Sequence, residues 1–221
     1  MTKKVNAVLH CNDWTGQTYS YSVYDYASKI LAEPESSEYK SSAPLIKAML
    51  NYGGYAQTYF NEKTDALANK GLYNKSNDPV LTTNTTVSKD YNYAAFNNNM
   101  GVSFIGGSLV LNSGTDLKLY YSMDDQNMAN NINVSVNGQN VAPEYDGNIM
   151  CVRVPDISIS SLGDTYNVKI SVNGKEINQK YSAMTYMYKA LNSQNSNTKL
   201  NNVVKALYLY NEAAKQYSMG N

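Results

Sequence analysis

The feature that most constrains this chain is an internal repeat of a helical pair. Residues 45–59, LIKAMLNYGGYAQTY, align without a gap on residues 203–217, VVKALYLYNEAAKQY. Upstream, residues 21–31, YSVYDYASKIL, align on residues 181–191, YSAMTYMYKAL. A repeated supersecondary unit usually buries surface against its neighbours. The repeat therefore predicts an architecture of packed units rather than a single active site on one scaffold.

The repeat extends upstream into a predicted β-hairpin, where Val8 aligns with Val168. The second copy has a tight Asn-Gly turn at its tip, ending in Gly174, but the first copy has Trp14 at that place. A tryptophan does not easily take the positive φ that a glycine supplies. We therefore expect a wider loop at the first tip, formed with Gly16.

Between the helical pairs the hydrophobic period changes from 3.6 to 2 residues. Alternating apolar and polar residues predict strands with one solvent-exposed face. Two of these strands end in SVNG, where Asn-Gly is the strongest hairpin signal. Gly106-Gly107 interrupts a further strand and indicates a bulge or a crowded corner. Such strands favour an antiparallel sandwich. The alternating segments are 117–123, 132–136, 152–154, 157–159 and 168–172.

We predict an α+β fold, mainly β, in which an antiparallel β-sandwich carries two homologous α-helical hairpins. Residues 1–71 would form the first β-hairpin and helical pair, and residues 72–90 a linker with few large apolar side chains. Residues 91–221 would form the sandwich, ending in the second copy. The first residues, MTKKVNAVL, lack the apolar region and cleavage site of a secretory signal, and we expect the sequence to be a piece cut from a longer protein.

The charge balance argues against a polyanionic partner. Lys and Arg number 18, Asp and Glu also number 18, and only 16% of residues are charged. Nucleic-acid binding proteins carry a basic patch that this composition does not offer. No stretch is long and apolar enough to predict membrane insertion. The two cysteines, Cys11 and Cys151, are too few for a disulfide framework, and the spacing leaves open whether they are bridged.

The sequence offers little catalytic chemistry. His10 is the single histidine, and a catalytic triad would have to use it. No CxxC, HxxxH, phosphate loop or GxGxxG pattern is present, so we expect no cofactor, no metal and no enzyme. A carboxylate pair for glycoside hydrolysis stays open. The Asp124-Asp125 loop is either a solvated turn or a structural calcium site.

Tyrosine, present 21 times, dominates the aromatic residues. Tyrosine and tryptophan stack on sugar rings, and asparagine amides bond hydroxyls. The cluster near the start of the sheet could therefore form a sugar-binding face, or it could be covered by a tyrosine-rich helix. The lone tryptophan is either a stacking platform on a loop tip, or a side chain that folds back onto a neighbouring helix or belongs to an interface. The predicted ligand-binding residues are Trp14, Tyr91, Tyr93, Tyr120, Tyr121, Asn97, Asn98 and Asp124.

The helical pairs resemble a known repeated region. Similar sequences recur in large secreted multidomain surface proteins of anaerobic Gram-positive gut bacteria. They resemble the run PLIKAMLNYGGYAQTYFNEKTDALANKGL together with YSVYDYASKIL before it. Those proteins often carry leucine-rich repeats, carbohydrate-active or carbohydrate-binding modules, or a dockerin. The resemblance covers residues 18–72 and 180–218. It implies an extracellular or cell-surface location and a modular, non-catalytic role.

Together these observations predict a non-catalytic extracellular module that binds polysaccharide or aids adhesion to it. Its expected partners are a glycan and neighbouring modules of the same chain, with no nucleic acid and no membrane. The alternative is a structural spacer or protein-docking module with no small ligand.

Overall fold

The computed structural model describes residues 3–11, 14–65, 67, 70–71, 75–94, 96, 100–111, 115–194 and 197–220, and it describes Leu9, Cys11 and Trp14 by their backbone alone. These residues form an α+β fold with antiparallel sheets, which confirms the predicted class at that level. No helix within the described ranges is long and apolar enough to cross a membrane.

The N-terminal part is a β-hairpin followed by two helices, which we call the first unit. Its elements are β1 (Val5–Cys11), β2 (Trp14–Tyr21), α1 (Val23–Ala32) and α2 (Ala43–Tyr59). A capping box begins α1, because the Ser22 hydroxyl accepts from the Asp25 backbone N–H while the Asp25 carboxylate accepts from the Ser22 backbone N–H. The two helices enclose a small core of their own, to which Ala27, Ile30, Tyr39, Ala43, Ile46 and Leu50 contribute.

The middle of the chain forms two four-stranded sheets. In chain order the strands are β3 (Val102–Leu111), β4 (Thr115–Met123), β5 (Ile132–Val136), β6 (Gln139–Val141), β7 (Glu144–Asp146), β8 (Ile149–Ile157), β9 (Tyr166–Val172) and β10 (Lys175–Tyr181). One sheet has the order β3-β4-β8-β7 and the other the order β10-β9-β5-β6. The 3-10 turns Gln126–Asn131 and Ile159–Ser161 connect strands of one sheet to strands of the other, and α3 (Pro79–Thr82) and the 3-10 turn Lys89–Tyr91 precede β3.

The second unit again places two helices after a β-hairpin. Its elements are β9, β10, α4 (Ala183–Leu191) and α5 (Thr198–Met219). A capping box between Ser182 and Thr185 begins α4, at the positions that align with Ser22 and Asp25. The local signals at the start of both helical pairs are therefore the same.

The Asn-Gly turns and the glycine bulge lie where the sequence predicts them. Asn137 and Gly138 connect β5 to β6, and Asn173 and Gly174 connect β9 to β10, all four with positive φ. The β3–β4 register shifts between Phe104 and Gly106, which confirms the predicted bulge.

The main core draws on both four-stranded sheets and on α4 and α5. Alternate residues of β4 point into it, because successive side chains of a strand face opposite sides. The fully buried members include Leu117, Leu119, Tyr121, Met150, Val152, Ile170, Met184 and Met187.

The first unit contacts the rest of the chain through its second helix. Tyr52 of α2 stacks on Tyr210 of α5 with ring centroids 5.8 Å apart, and these two residues align in the repeat. Burial raises the pKa of Tyr52 to about 12. The contact joins the aligned helices of the two units.

Residues 75–90, within the segment predicted as a linker, are held in place. Asp78 accepts hydrogen bonds from the Asn51 amide at 3.2 Å and from the Tyr55 hydroxyl at 2.7 Å, both on α2. Val80 and Val87 are buried. This part of the predicted linker is thus packed at Val80 and Val87, whereas Leu81 is 49% exposed.

The first hairpin differs from the prediction in two ways. Trp14 pairs with Cys11, so Gly16 lies within β2 and not in the tip loop. Val5 pairs with Tyr21 as Tyr166 pairs with Tyr181, so the residue of β1 that corresponds to Val168 is Ala7 rather than Val8. The ungapped alignment missed this because β2 has one extra residue: its Gly16 and Gln17 together oppose the single Leu9.

A smaller difference concerns the predicted strand 157–159. Ile157 ends β8, and Ile159 begins a 3-10 turn.

Candidate functional site

Tyr121, one of the predicted stacking residues, is buried in the core. Its exposed fraction is 0%. Its ring stacks on Phe96 at 5.8 Å, and its hydroxyl donates to the Gln179 side chain at 2.8 Å. No ring face is left for a sugar. The role predicted for Tyr121 is therefore incompatible with its position, because the sheet face that carries it is the covered one.

The other predicted tyrosines do not gather into one face. Tyr120 lies on the opposite side of β4 from Tyr121, with its hydroxyl 3.3 Å from the Ser108 hydroxyl. The hydroxyl of Tyr93 lies 3.0 Å from that of Thr165. Tyr91 packs beside Gly163, where an added Cβ would lie 2.7 Å from its hydroxyl. Each of these partly buried tyrosines has a structural neighbour, and they do not form a common platform.

The remaining predicted ligand-binding residues give little further support to a sugar-binding face. Trp14 begins β2, and its side chain lies outside the description, as do Asn97 and Asn98. Asp124 is exposed, and its backbone N–H donates to the Gly101 carbonyl at 2.8 Å. Within the described ranges, no group of three or more His, Cys, Asp and Glu side chains could hold a metal ion.

Among the described residues, Asp116 is the one well-buried carboxylate, and it belongs to a structural ion pair. It accepts from Arg153 Nε at 3.0 Å and from the Asp156 backbone N–H at 2.9 Å. The backbone hydrogen bond, together with the guanidinium, holds the pKa of Asp116 below its ordinary value. A catalytic acid needs the opposite shift. Cys151, also buried, is a free thiol whose pKa burial raises.

The most unusual surface of the molecule lies on the first unit. Large apolar and aromatic side chains of β1, β2 and the start of α1 are exposed together, and several line a shallow groove of about 350 Å³. Every described side chain of β1 is exposed, so the hairpin has no core of its own. A two-stranded hairpin without a covered face is marginally stable in water. We call this the hairpin surface; it consists of Val5, Tyr19, Tyr21, Val23, Tyr24 and Tyr26.

Four of the six aligned positions of the second unit are buried, and the other two, Tyr166 and Tyr186, are partly buried. Tyr181 is 2% exposed where Tyr21 is 47% exposed. Ala183 and Met184 are 0% and 1% exposed, whereas Val23 and Tyr24, their counterparts, are 54% and 41% exposed. The residues that fix the second hairpin to the core are therefore the ones that lie open on the first.

Sequence reasoning did not find the hairpin surface, although two signals point to it. The first copy has Tyr19 where the second has Gln179, so the aligned position becomes more apolar. In addition, β1 contains no charged residue. Both features are unusual for a hairpin that faces water on all sides.

A second concave site lies between the segment before β3 and the last helices. This polar cleft has a volume of about 320 Å³ and is lined by side chains that include Thr85, Lys89, Tyr188, Asn201 and Lys205. The Thr85 hydroxyl and the Asn201 side-chain oxygen are buried there and have no hydrogen-bond partner among the described residues. Buried polar atoms are normally paired, so the two oxygens make this cleft a candidate polar site.

No protein-family model matches the sequence, and comparisons with curated proteins and with solved structures found no similar protein.

Proposed function

We propose that this chain is a non-catalytic module of an extracellular protein that docks another protein through the hairpin surface. The observation that carries the proposal is the contrast between the two units: positions buried against a core in the second unit are exposed aromatic or aliphatic side chains in the first. Contiguous apolar patches on soluble proteins mark interaction sites. Tyrosine is also enriched at such interfaces.

The proposal includes the finer architecture. We take the two four-stranded sheets to be the layers of a β-sandwich, since side chains from both enter one core. We take the two units to be homologous copies, since capping boxes begin α1 and α4 at aligned serines, Ser22 and Ser182. The resemblance of the helical pairs to bacterial surface proteins supports the extracellular location.

Hydrogen exchange of the free chain tests whether the surface is available. A hairpin with no covering core should open easily, so amides of β1 and β2 should exchange much faster than those of β9 and β10. The dye bis-ANS should bind the chain, and Tyr21→Ser with Tyr24→Ser should reduce its fluorescence. The matched control is Tyr217→Ser, another exposed tyrosine outside this surface. Equal protection of the amides of the two hairpins from exchange would show that the surface is already covered. This result would refute the proposed docking function.

A second candidate function is glycan binding in the polar cleft. The two unpaired buried oxygens, Thr85 Oγ1 and the Asn201 amide oxygen, favour it, because sugar hydroxyls are donors that could satisfy both. Tyr188 adds an aromatic ring at the same cleft.

Pull-down on starch, cellulose, xylan and mucin tests this second function. Asn201→Ala should reduce retention, and Trp14→Ala should reduce it if the hairpin tip takes part. Lys180→Ala, an exposed residue outside the cleft, is the control. The absence of retention on all four glycans would remove this candidate and leave protein docking.

A further inference from the structure

We propose that the hairpin surface is covered by a β-sandwich of the same type as β3–β8, which lacks a β9–β10 hairpin of its own and is supplied by another polypeptide or module, and that a β5-type strand of this partner pairs with the free edge of β1. This inference rests on the docking function proposed above and names the partner. It uses the second unit as a template, because there the same kind of hairpin is seated on such a sandwich.

The template shows what a partner needs in order to accept Tyr21. The aligned Tyr181 lies against Phe104, with ring centroids 5.6 Å apart. A Cβ on Gly107 would lie 2.9 Å from the Tyr181 hydroxyl oxygen and 3.1 Å from its ring. The second hairpin therefore seats its tyrosine in a space made by the bulged segment Phe104-Ile105-Gly106-Gly107. The partner should carry a Phe-x-Gly-Gly bulge on the equivalent strand.

The template also gives the register of the strand pairing. In the second unit Val134 of β5 pairs with Ile170 of β9, and Val136 pairs with Val168. By hairpin register, Ile170 corresponds to Leu9 and Val168 to Ala7. The partner residues that correspond to Val134 and Val136 should therefore pair opposite Leu9 and Ala7. The bulge of the first hairpin lies in β2, so the free edge of β1 keeps regular strand spacing.

The edge of β1 lacks the protection that the other described sheet edges carry. Natural edge strands avoid pairing with other chains by means of charges, proline, bulges or short length. In this chain β10 carries three charged residues, β6 and β7 are three residues each, and β3 is bulged. By contrast, β1, VNAVLHC, contains no Lys, Arg, Asp, Glu, Pro or Gly. Such an edge suits main-chain pairing with an added strand.

A second intact copy of this chain does not meet these requirements. Its β5 already pairs with its own β9, and its Phe104 and Gly107 are already covered by its own Tyr181. The partner must instead be a sandwich whose β5 edge and Phe-x-Gly-Gly bulge are free.

The test adds such a sandwich to the intact chain. A second copy of residues 79–164 is placed directly before residue 4, so that the first hairpin follows it at the position that β9 and β10 take in the template. If the proposal holds, amide hydrogens of β1 should exchange at least about 100-fold more slowly than in the unextended chain. Nitration of Tyr21 by tetranitromethane should slow as well.

Two matched pairs of variants make the result specific. In the added copy, Gly107→Val should abolish the protection of β1, whereas Gly106→Val should not, because a Cβ on Gly106 meets no atom of the described residues within 4 Å. As a positive control, an extended chain in which residues 5–29 are replaced by residues 166–189 shows whether the added sandwich folds when it receives the hairpin of the template.

The outcomes separate the inference from the function on which it rests. If the positive control folds but the native hairpin stays unprotected, the inference that the partner is a sandwich is overturned. Docking through the hairpin surface still stands in that case, provided that the free chain exposes this surface. If the unextended chain forms a concentration-dependent dimer that Tyr21→Ser disrupts, the occupant is a second copy and the inference is also overturned. If the free chain already protects β1, the docking function itself fails.

Discussion

The aligned tyrosines Tyr181 and Tyr21 should respond very differently to replacement by alanine. Tyr181 is 2% exposed and packs against Phe104 and the backbone of Gly107. Truncation of a buried aromatic side chain leaves a cavity and typically costs about 3–5 kcal/mol of unfolding free energy. Tyr21 has nearly half of its surface in water, so Tyr21→Ala should change this free energy by no more than about 0.5 kcal/mol.

Urea unfolding followed by circular dichroism measures this difference. With a slope of about 2–3 kcal/mol per molar urea, Tyr181→Ala should lower the midpoint by about 1–2.5 M, and Tyr21→Ala by about 0.25 M or less. Tyr181→Phe is the control, since it keeps the ring in place and should retain most of the stability. Similar shifts for Tyr181→Ala and Tyr21→Ala would refute the asymmetry between the two units and the docking surface inferred from it.

Three further substitutions test individual contacts. Gly107→Ala should lower the unfolding free energy by about 1–3 kcal/mol through overpacking, whereas Gly106→Ala should leave it nearly unchanged in the same urea assay. Asp116→Asn should cost about 1–3 kcal/mol at neutral pH, because the Arg153 guanidinium loses its charged acceptor. Since the folded-state pKa of Asp116 is lowered, its stabilisation is present above the unfolded pKa of about 4 and is lost as the pH falls through the folded value, so the variant should show a flatter acid limb in thermal unfolding. Tyr121→Phe should cost about 1–2 kcal/mol, because a buried glutamine loses its donor.

Each of these has a clear contrary outcome. Equal effects at the two glycines would mean that the close approach of the tyrosine ring to the bulge is not tight in solution. A variant of Asp116 with an unchanged acid limb would show that another carboxylate governs stability at low pH. A fully stable Tyr121→Phe would mean that water or another group satisfies the glutamine.

Much of the fold could be predicted because its signals are local. The Asn-Gly pairs formed tight turns at both predicted places, since each residue of the pair accepts positive φ. Alternation located β4, β5, β8 and β9, and the glycine pair located the β3 bulge. The register of the first hairpin was harder, because a bulge in β2 adds one residue that an ungapped alignment cannot show.

The candidate site could not be predicted in the same way. Alternation places Tyr120 and Tyr121 on opposite faces of a strand but does not say which face is covered. The covered face is the one that carries Tyr121. The prediction of Tyr121 as a stacking residue is therefore wrong, because this residue lies in the core. The polar cleft also escaped prediction, because it joins Thr85 to Asn201, residues far apart in the chain.

The sequence by itself determined the hairpins and the likeness of the two units, because each depends on residues close together in the chain. Only the tertiary structure decided that these similar units have different surroundings. Tyr181 is buried because a bulge more than 70 residues earlier in the chain makes room for it, while Tyr21 meets no such partner among the described residues. Whether a residue is buried depends on the elements that cover it, and the local sequence of either copy does not contain that information.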